Sequence, residues 1–215
     1  MSNERNDRMI WRANSSRHDW SGGGPLRAVV AAATRLGLIG HPQADLSAES
    51  GEISGDDPAP WWLFWSVRPF DASSGWVQGI HNLALTFERS RVDSEALAQA
   101  FRSAHTPADT EYAFIHPYTH WIEFSHAHYA NPVTINISFR GVFWANFLGP
   151  GHLDEFDLQR LRNLDAHEVE WVDDKGLFVI ATPELASADA PEAEPVLIRL
   201  TEQFREALRP DSRWR

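Results

Sequence analysis

Cysteine is absent from the 215-residue chain. That excludes disulfides and thiolate-held metals. Long apolar runs are also missing. Nothing in the sequence approaches the roughly eighteen consecutive apolar residues of a membrane-spanning helix. The opening Met-Ser-Asn-Glu-Arg-Asn-Asp-Arg stretch lacks the apolar core of a signal peptide, so the expectation is a cytoplasmic protein. Cations are scarce: 19 Lys and Arg face 30 Asp and Glu, a net charge of −11, and Lys175 is the one lysine. Catalytic signatures are lacking as well. No serine stands in a Gly-x-Ser-x-Gly elbow. Gly22-Gly23-Gly24-Pro25 has neither the Lys-Ser/Thr ending nor the preceding strand of a phosphate loop, and reads as a hinge before a helix.

The charge is unevenly spread. Residues 1–40 hold six Arg against three acids, whereas residues 41–215 hold thirteen basic and twenty-seven acidic groups. A body so poor in cations is a poor match for phosphate backbones, so no nucleic-acid partner is expected, nor a membrane one. It suits a basic protein partner drawn in by long-range attraction. Ten Trp and twelve Phe supply ample apolar surface for a core.

The pattern along the chain predicts an α+β fold, a mostly antiparallel sheet with helices packed on one face, in the order α-ββ-α-βββ-α-ββ-α. Residues 1–21 read as a polar tail, or as a clip held by Trp11 and Trp20. Residues 22–209 read as one domain, 41–60 within it as a Ser/Gly/Asp/Pro linker, and 210–215 as a tail. Helices are expected at 25–38, at 94–104 behind an Asp93 cap with Val92 and Leu97 as a staple, at 153–164 and at 194–208. Strands are expected at 61–67, 80–88, 112–115, 118–126, 133–139 continuing through 142–147 past a kink at Gly141, 168–172 and 177–181. The last two form a hairpin around Asp173-Asp174-Lys175-Gly176.

His116, His120, His126 and His128 sit within thirteen residues, beside Glu123. Imidazoles with a carboxylate can hold zinc or iron. Pro117 prevents a helix that would stack His116 on His120. On a strand, His116 would lie roughly 40 Å from His128, and only His126 and His128, about 7 Å apart, could share an ion. The expectation is therefore no metal, no cofactor and no catalytic residue. A metal-dependent enzyme using His120, His126 and His128 is the alternative. Asp56/Asp57, Glu168/Glu170 and Asp173/Asp174 are carboxylate pairs without partner sets, and Glu168 and Glu170 fall on one strand face, read as the solvent face. Trp61 and Trp62 must point to opposite faces of one strand, so one of them can be an exposed anchor in an acidic rim. The residues expected to bind a partner are Trp61, Asp56, Asp57, Trp76, Tyr118, His126, His128, Asp173 and Asp174.

The block Gly141-Val-Phe-Trp-Ala-Asn-Phe-Leu-Gly-Pro-Gly-His-Leu leads into a short amphipathic helix, a strand, the Asp173–Gly176 hairpin, a second strand, an acidic Pro-containing loop and a final helix. Over about 70 residues this resembles bacterial immunity proteins of polymorphic-toxin and type VI secretion systems. The family pattern often has an extra glycine near the helix, where this chain has Asp157. The resemblance implies a non-enzymatic inhibitor that binds a cognate toxin and blocks its active site or substrate cleft, with the toxin as partner. A basic toxin cleft would suit the acidic body.

Overall fold

The computed structural model describes residues 8–15, 20, 23–66, 81–89, 92–105, 110–119, 141–172, 176–185 and 190–212. Among the described residues eight strands form one sheet: β1 (Arg8–Ser15), β2 (Ser50–Gly55), β3 (Trp61–Ser66), β4 (His81–Glu88), β5 (Tyr112–Pro117), β6 (Ala145–Leu148), β7 (Glu168–Val172) and β8 (Gly176–Ile180). Their order is β2-β3-β4-β1-β5-β6-β8-β7, and every neighbouring pair is antiparallel. The helices are α1 (Gly24–Arg35), α2 (Ser94–His105), α3 (Pro150–Leu153), α4 (Leu158–Leu161) and α5 (Ala193–Ala207). No helix among the described residues is long and apolar enough to cross a membrane. The architecture is α+β with an antiparallel sheet.

The alternation of side chains along each strand sorts the core into two layers. On the first face one row across the sheet runs Ile53, Leu63, Leu85, Trp11, Ile115, Ala145, Ile180 and Glu168. It is apolar until it reaches the β7 edge. Helices α1 and α2 cover it with Leu26, Val29, Val30 and Ala33, and with Leu97, Ala100, Phe101 and Ala104. These are the stripes that 3.6-residue spacing predicts. Asp93 caps α2 as expected, its Oδ1 accepting from the Ala96 N–H at 2.8 Å. Helix α5 packs Leu197, Leu200 and Phe204 on the opposite face, against Tyr112, Phe114, Leu177 and Val179. The expectation of helices on one face therefore needs correcting. Strands β5, β6 and β8 are apolar on both sides, so each side demands a cover.

Four further segments differ from expectation. Residues 8–15 are neither tail nor clip but the strand between β4 and β5, with Met9, Trp11 and Ala13 in one core layer and Ile10 in the other. Within the expected linker, residues 50–55 form the edge strand β2. The single helix at 153–164 is two short ones. Between them Phe156 pairs with Leu208, and the Asp157 N–H donates to the Ala207 carbonyl at 2.7 Å. Asp157 then restarts the helix as an N-cap, accepting from the Gln159 N–H. The strand expected from 142 begins at Ala145, because the Asn146 amide closes a turn before it. The Phe143 N–H donates to Asn146 Oδ1 at 2.9 Å, and Asn146 Nδ2 donates to the Phe143 carbonyl at 2.8 Å. The strand readings at 118–126 and 133–139 lie almost wholly outside the described residues.

One polar group is locked inside the first layer. His105, at the end of α2, is 0% exposed. Its Nε2 accepts from the Trp11 indole N–H at 2.9 Å, which leaves the proton on Nδ1, 3.2 Å from Thr110 Oγ1. Burial disfavours the imidazolium and pushes the pKa down from 6.5 to about 3. An unfolded His105 takes up its proton near pH 6.5, whereas the folded one stays neutral to about pH 3. This contribution to stability is present above pH 6.5 and is lost as pH falls below it, at a slope approaching ~1.4 kcal/mol per pH unit. Denaturant titrations of the wild type at pH 7 and pH 5 should show this loss. His105→Gln, which keeps an acceptor for Trp11, should lack that component. An unchanged slope in the variant would exonerate His105.

Candidate partner-binding edge

The β2 sequence, Ser-Gly-Glu-Ile-Ser-Gly, holds a single large apolar side chain and two glycines. Its apolar cover comes from the neighbouring strand. Trp65 and Trp61 on β3 lie over Gly51 and Gly55, their register partners. A Cβ at Gly51 would stand 2.1 Å from the Trp65 ring, and one at Gly55 2.8 Å from the Trp61 ring. The indoles occupy the space that side chains on the edge strand would need. Both are also anchored by their N–H groups. Trp65 donates to the Ala48 carbonyl and Trp61 to the Asp57 carbonyl, each at 3.1 Å. The segment 48–57 is thus stitched to the sheet by two tryptophans whose polar tips are satisfied.

The other face of β3 is different. Trp62 and Phe64 project from it half-buried, stacked with centroids 5.9 Å apart and planes 13° apart. The Trp62 indole N–H donates to Glu52 Oε1 at 2.6 Å. Behind this pair the rows become polar. One runs Glu52, Phe64, Ala84, Arg12, Phe114, Asn146, Val179, and the next Ser50, Ser66, Asn82, Asn14, Tyr112, Leu148, Leu177. Arg12 is buried and donates to Asn82 Oδ1 at 3.2 Å. The apolar ends of both rows, from β5 onward, lie with α5 in the second core layer. The polar and aromatic ends lie outside it.

Charge marks the same edge. No Lys or Arg occurs from residue 36 to 67, whereas Asp45, Glu49, Glu52, Asp56 and Asp57 all fall there. All five are exposed. Asp45 is held ionised more firmly than usual by hydrogen bonds from the Ser47 hydroxyl and backbone N–H, which lower its pKa. Five carboxylates within thirteen residues make a negative stretch with no cation of its own; Arg27 of α1 acts on Asp45 from outside it.

Of the residues expected to bind a partner, Asp56 and Asp57 sit at this edge and are exposed. Trp61 is a correction: at 6% exposure it belongs to the first core layer, and the half-exposed member of the pair is Trp62. Odd positions of β3 face the helices, so the parity of the strand decides which indole is left outside. Tyr118 packs against the second core layer just past β5, away from the acidic segment in the register. Trp76, His120, His126, His128, Asp173 and Asp174 lie outside the described residues. Sequence reasoning missed Glu52, Trp62 and Phe64, although the alternation of the Trp-Trp-Leu-Phe-Trp run carried the signal.

Other candidates are taken up by the fold. His116 is buried, and its Nδ1 accepts the Trp144 backbone N–H at 3.1 Å. Glu168 and Glu170 do not simply face solvent. Both pair with Arg102 of α2, Glu170 at 2.8 Å, which fastens the helix to the β7 edge. A groove of about 800 Å³ opens between α3, α4 and the chain after α5. Its arginines are engaged: Arg160 donates to the Glu206 carbonyl, Arg209 donates to the Asp154 carbonyl, and Arg162 lies 5.7 Å from the Trp171 ring centre. No group of three His, Asp or Glu side chains able to hold a metal ion occurs among the described residues. No protein-family model matches the chain, and no curated protein matches it.

The edge is testable by mass alone. Gly51→Val should lower stability by about 1–3 kcal/mol, because the Trp65 indole must be displaced. Gly24→Ala, where a Cβ meets nothing within 4 Å, should be neutral or mildly stabilising. Equal melting temperatures for the two variants would contradict the tryptophan cover.

Proposed function

We propose that this chain is a binding inhibitor, an immunity protein that neutralises a cognate toxin by covering its active site or substrate cleft. It acts by binding, with no bond made or broken by its own side chains. The toxin surface it meets is basic, and the β2–β3 edge is what it offers. One observation carries the reading: exposed Glu52 accepts from the indole of a half-exposed, stacked Trp62–Phe64 pair, within a stretch whose five exposed carboxylates have no Lys or Arg among them. An amphipathic aromatic with an acidic rim is the composition of an interface hot spot. The resemblance of residues 141–208 to immunity proteins points the same way. So does the net charge of −11, which speeds the encounter with a basic partner.

The experiment is reconstitution with the product of the adjacent gene. The two purified proteins should co-elute on size exclusion, more weakly as salt rises. Trp62→Ala should weaken the complex tenfold or more, about 1.4 kcal/mol. Glu52→Lys should mainly slow association. Failure to co-elute at low salt, or a complex indifferent to both substitutions, would refute the proposal.

A further inference from the structure

We infer that β2 engages its partner by strand addition. An extended segment with alternating basic and apolar residues pairs with Ser50–Gly55 and lengthens the sheet by one strand. The inference rests on the reading of this edge as the partner-binding surface, and adds the mode of binding and the chemistry of the occupant.

Among the described residues, strand β2 is the last in the sheet and pairs with β3 over six consecutive residues, from Ser50↔Ser66 to Gly55↔Trp61. The register advances without a skipped residue, so no bulge twists the edge away. Alternate residues of an antiparallel edge strand turn their N–H and C=O groups outward. Ser50, Glu52 and Ser54 are exposed, and Gly51, Ile53 and Gly55 half-buried. The usual guards against pairing are few. The strand has no proline and no lysine, and its one charged side chain, Glu52, is drawn toward its own sheet by Trp62. The opposite edge differs in kind, because both carboxylates of β7 are clamped by Arg102.

Charge selects the occupant. A second copy of this chain would set Glu52 and its acidic flanks against their own duplicates, which is repulsive. A basic strand meets Glu52 and the acidic residues that flank β2 in sequence instead. Side chains of the incoming strand alternate between faces. Those beside Ile53 would join the apolar first face, and those beside Glu52 the acidic, aromatic second face. The complementary segment therefore reads basic-apolar-basic-apolar.

The test uses the full chain and capped eight-residue peptides of alternating Arg and Val, read by calorimetry and by amide hydrogen exchange. The parent peptide should bind, weaken with salt and slow exchange at alternate amides within 50–55. Two N-methylated versions separate backbone pairing from charge, each blocking one alternate set of peptide N–H groups. One should lose affinity tenfold or more, and the other should stay within threefold. Replacing Arg by Glu should abolish binding. Equal affinity of both methylated peptides, absence of protection at 50–55, or no binding of the parent peptide would overturn strand addition. None of these outcomes decides whether the toxin binds, since that reading stands or falls on the reconstituted complex and its response to Trp62→Ala.

Discussion

The fold depends on β1 lying in the middle of the sheet. Strands β2, β3 and β4 form one half, and β5, β6, β8 and β7 the other. Among the described residues no pair of strands joins these halves except through β1, which pairs with β4 from Arg8 to Ser15 and with β5 from Met9 to Asn14. Trp11 carries much of this role. It sits in an apolar row between Leu85 and Ile115, contacts Phe101 of α2 at 5.7 Å between ring centres, and spends its N–H on buried His105. A hydrogen bond in so dry a place is worth more as a constraint than as net energy. Losing either partner leaves a polar group that water cannot reach. Register follows from the same contact, since a one-residue slip would send Trp11 to the polar face and Arg12 into the apolar one.

That central placement explains why the two faces diverge. In the C-terminal half, β5, β6 and β8 are apolar on both sides and take a helical layer on each. The N-terminal half is apolar on one side only. Its second side carries Glu52, Trp62, Phe64, Asn82 and Thr86, with Arg12 at the boundary. The transition happens within single rows of the sheet, over the width of β1. The polar groups of this side bond one another across strands, and Arg12, Asn14 and Thr86 among them are buried. The strand pattern that places a core under α1 and α2 therefore places a polar, aromatic face on the reverse of the same three strands.

Much of this was legible in the chain. The α+β class and the helices α1, α2 and α5 followed from periodicity, and the Asp93 cap from its residue type and place. Three misreadings share a cause, in that the deciding signal lay elsewhere in the sequence. The expected tail contains Met9, Trp11 and Ala13 at spacing two, but Arg12 and Asn14 between them resemble solvent-facing residues until β4 and β5 are placed beside them. Ser50–Gly55 reads as linker because its apolar cover is supplied by Trp61 and Trp65 of the next strand. Asp157 looks like one more polar position in a helix until the end of α5 is brought alongside to break it. Trp61 and Trp62 show the remaining limit. Alternation said that one faces out, but choosing between them required knowing which side α1 and α2 occupy.

An acidic edge strand is a specific compromise. A long, flat edge of neutral residues pairs with any extended chain, itself included, and tends to aggregate. Lysines would repel copies equally well, but would also attract nucleic acid and acidic surfaces. In the strand addition proposed above, carboxylates at 45, 49, 52, 56 and 57 would repel other copies of this chain and admit a cationic strand. The glycines add to this. Gly51 and Gly55 let the indoles of Trp65 and Trp61 lie across the edge strand, so its apolar support comes from the neighbouring strand. On that proposal, repulsion between like copies and attraction toward an opposite charge would be two consequences of one charge pattern, with discrimination arising from the edge itself.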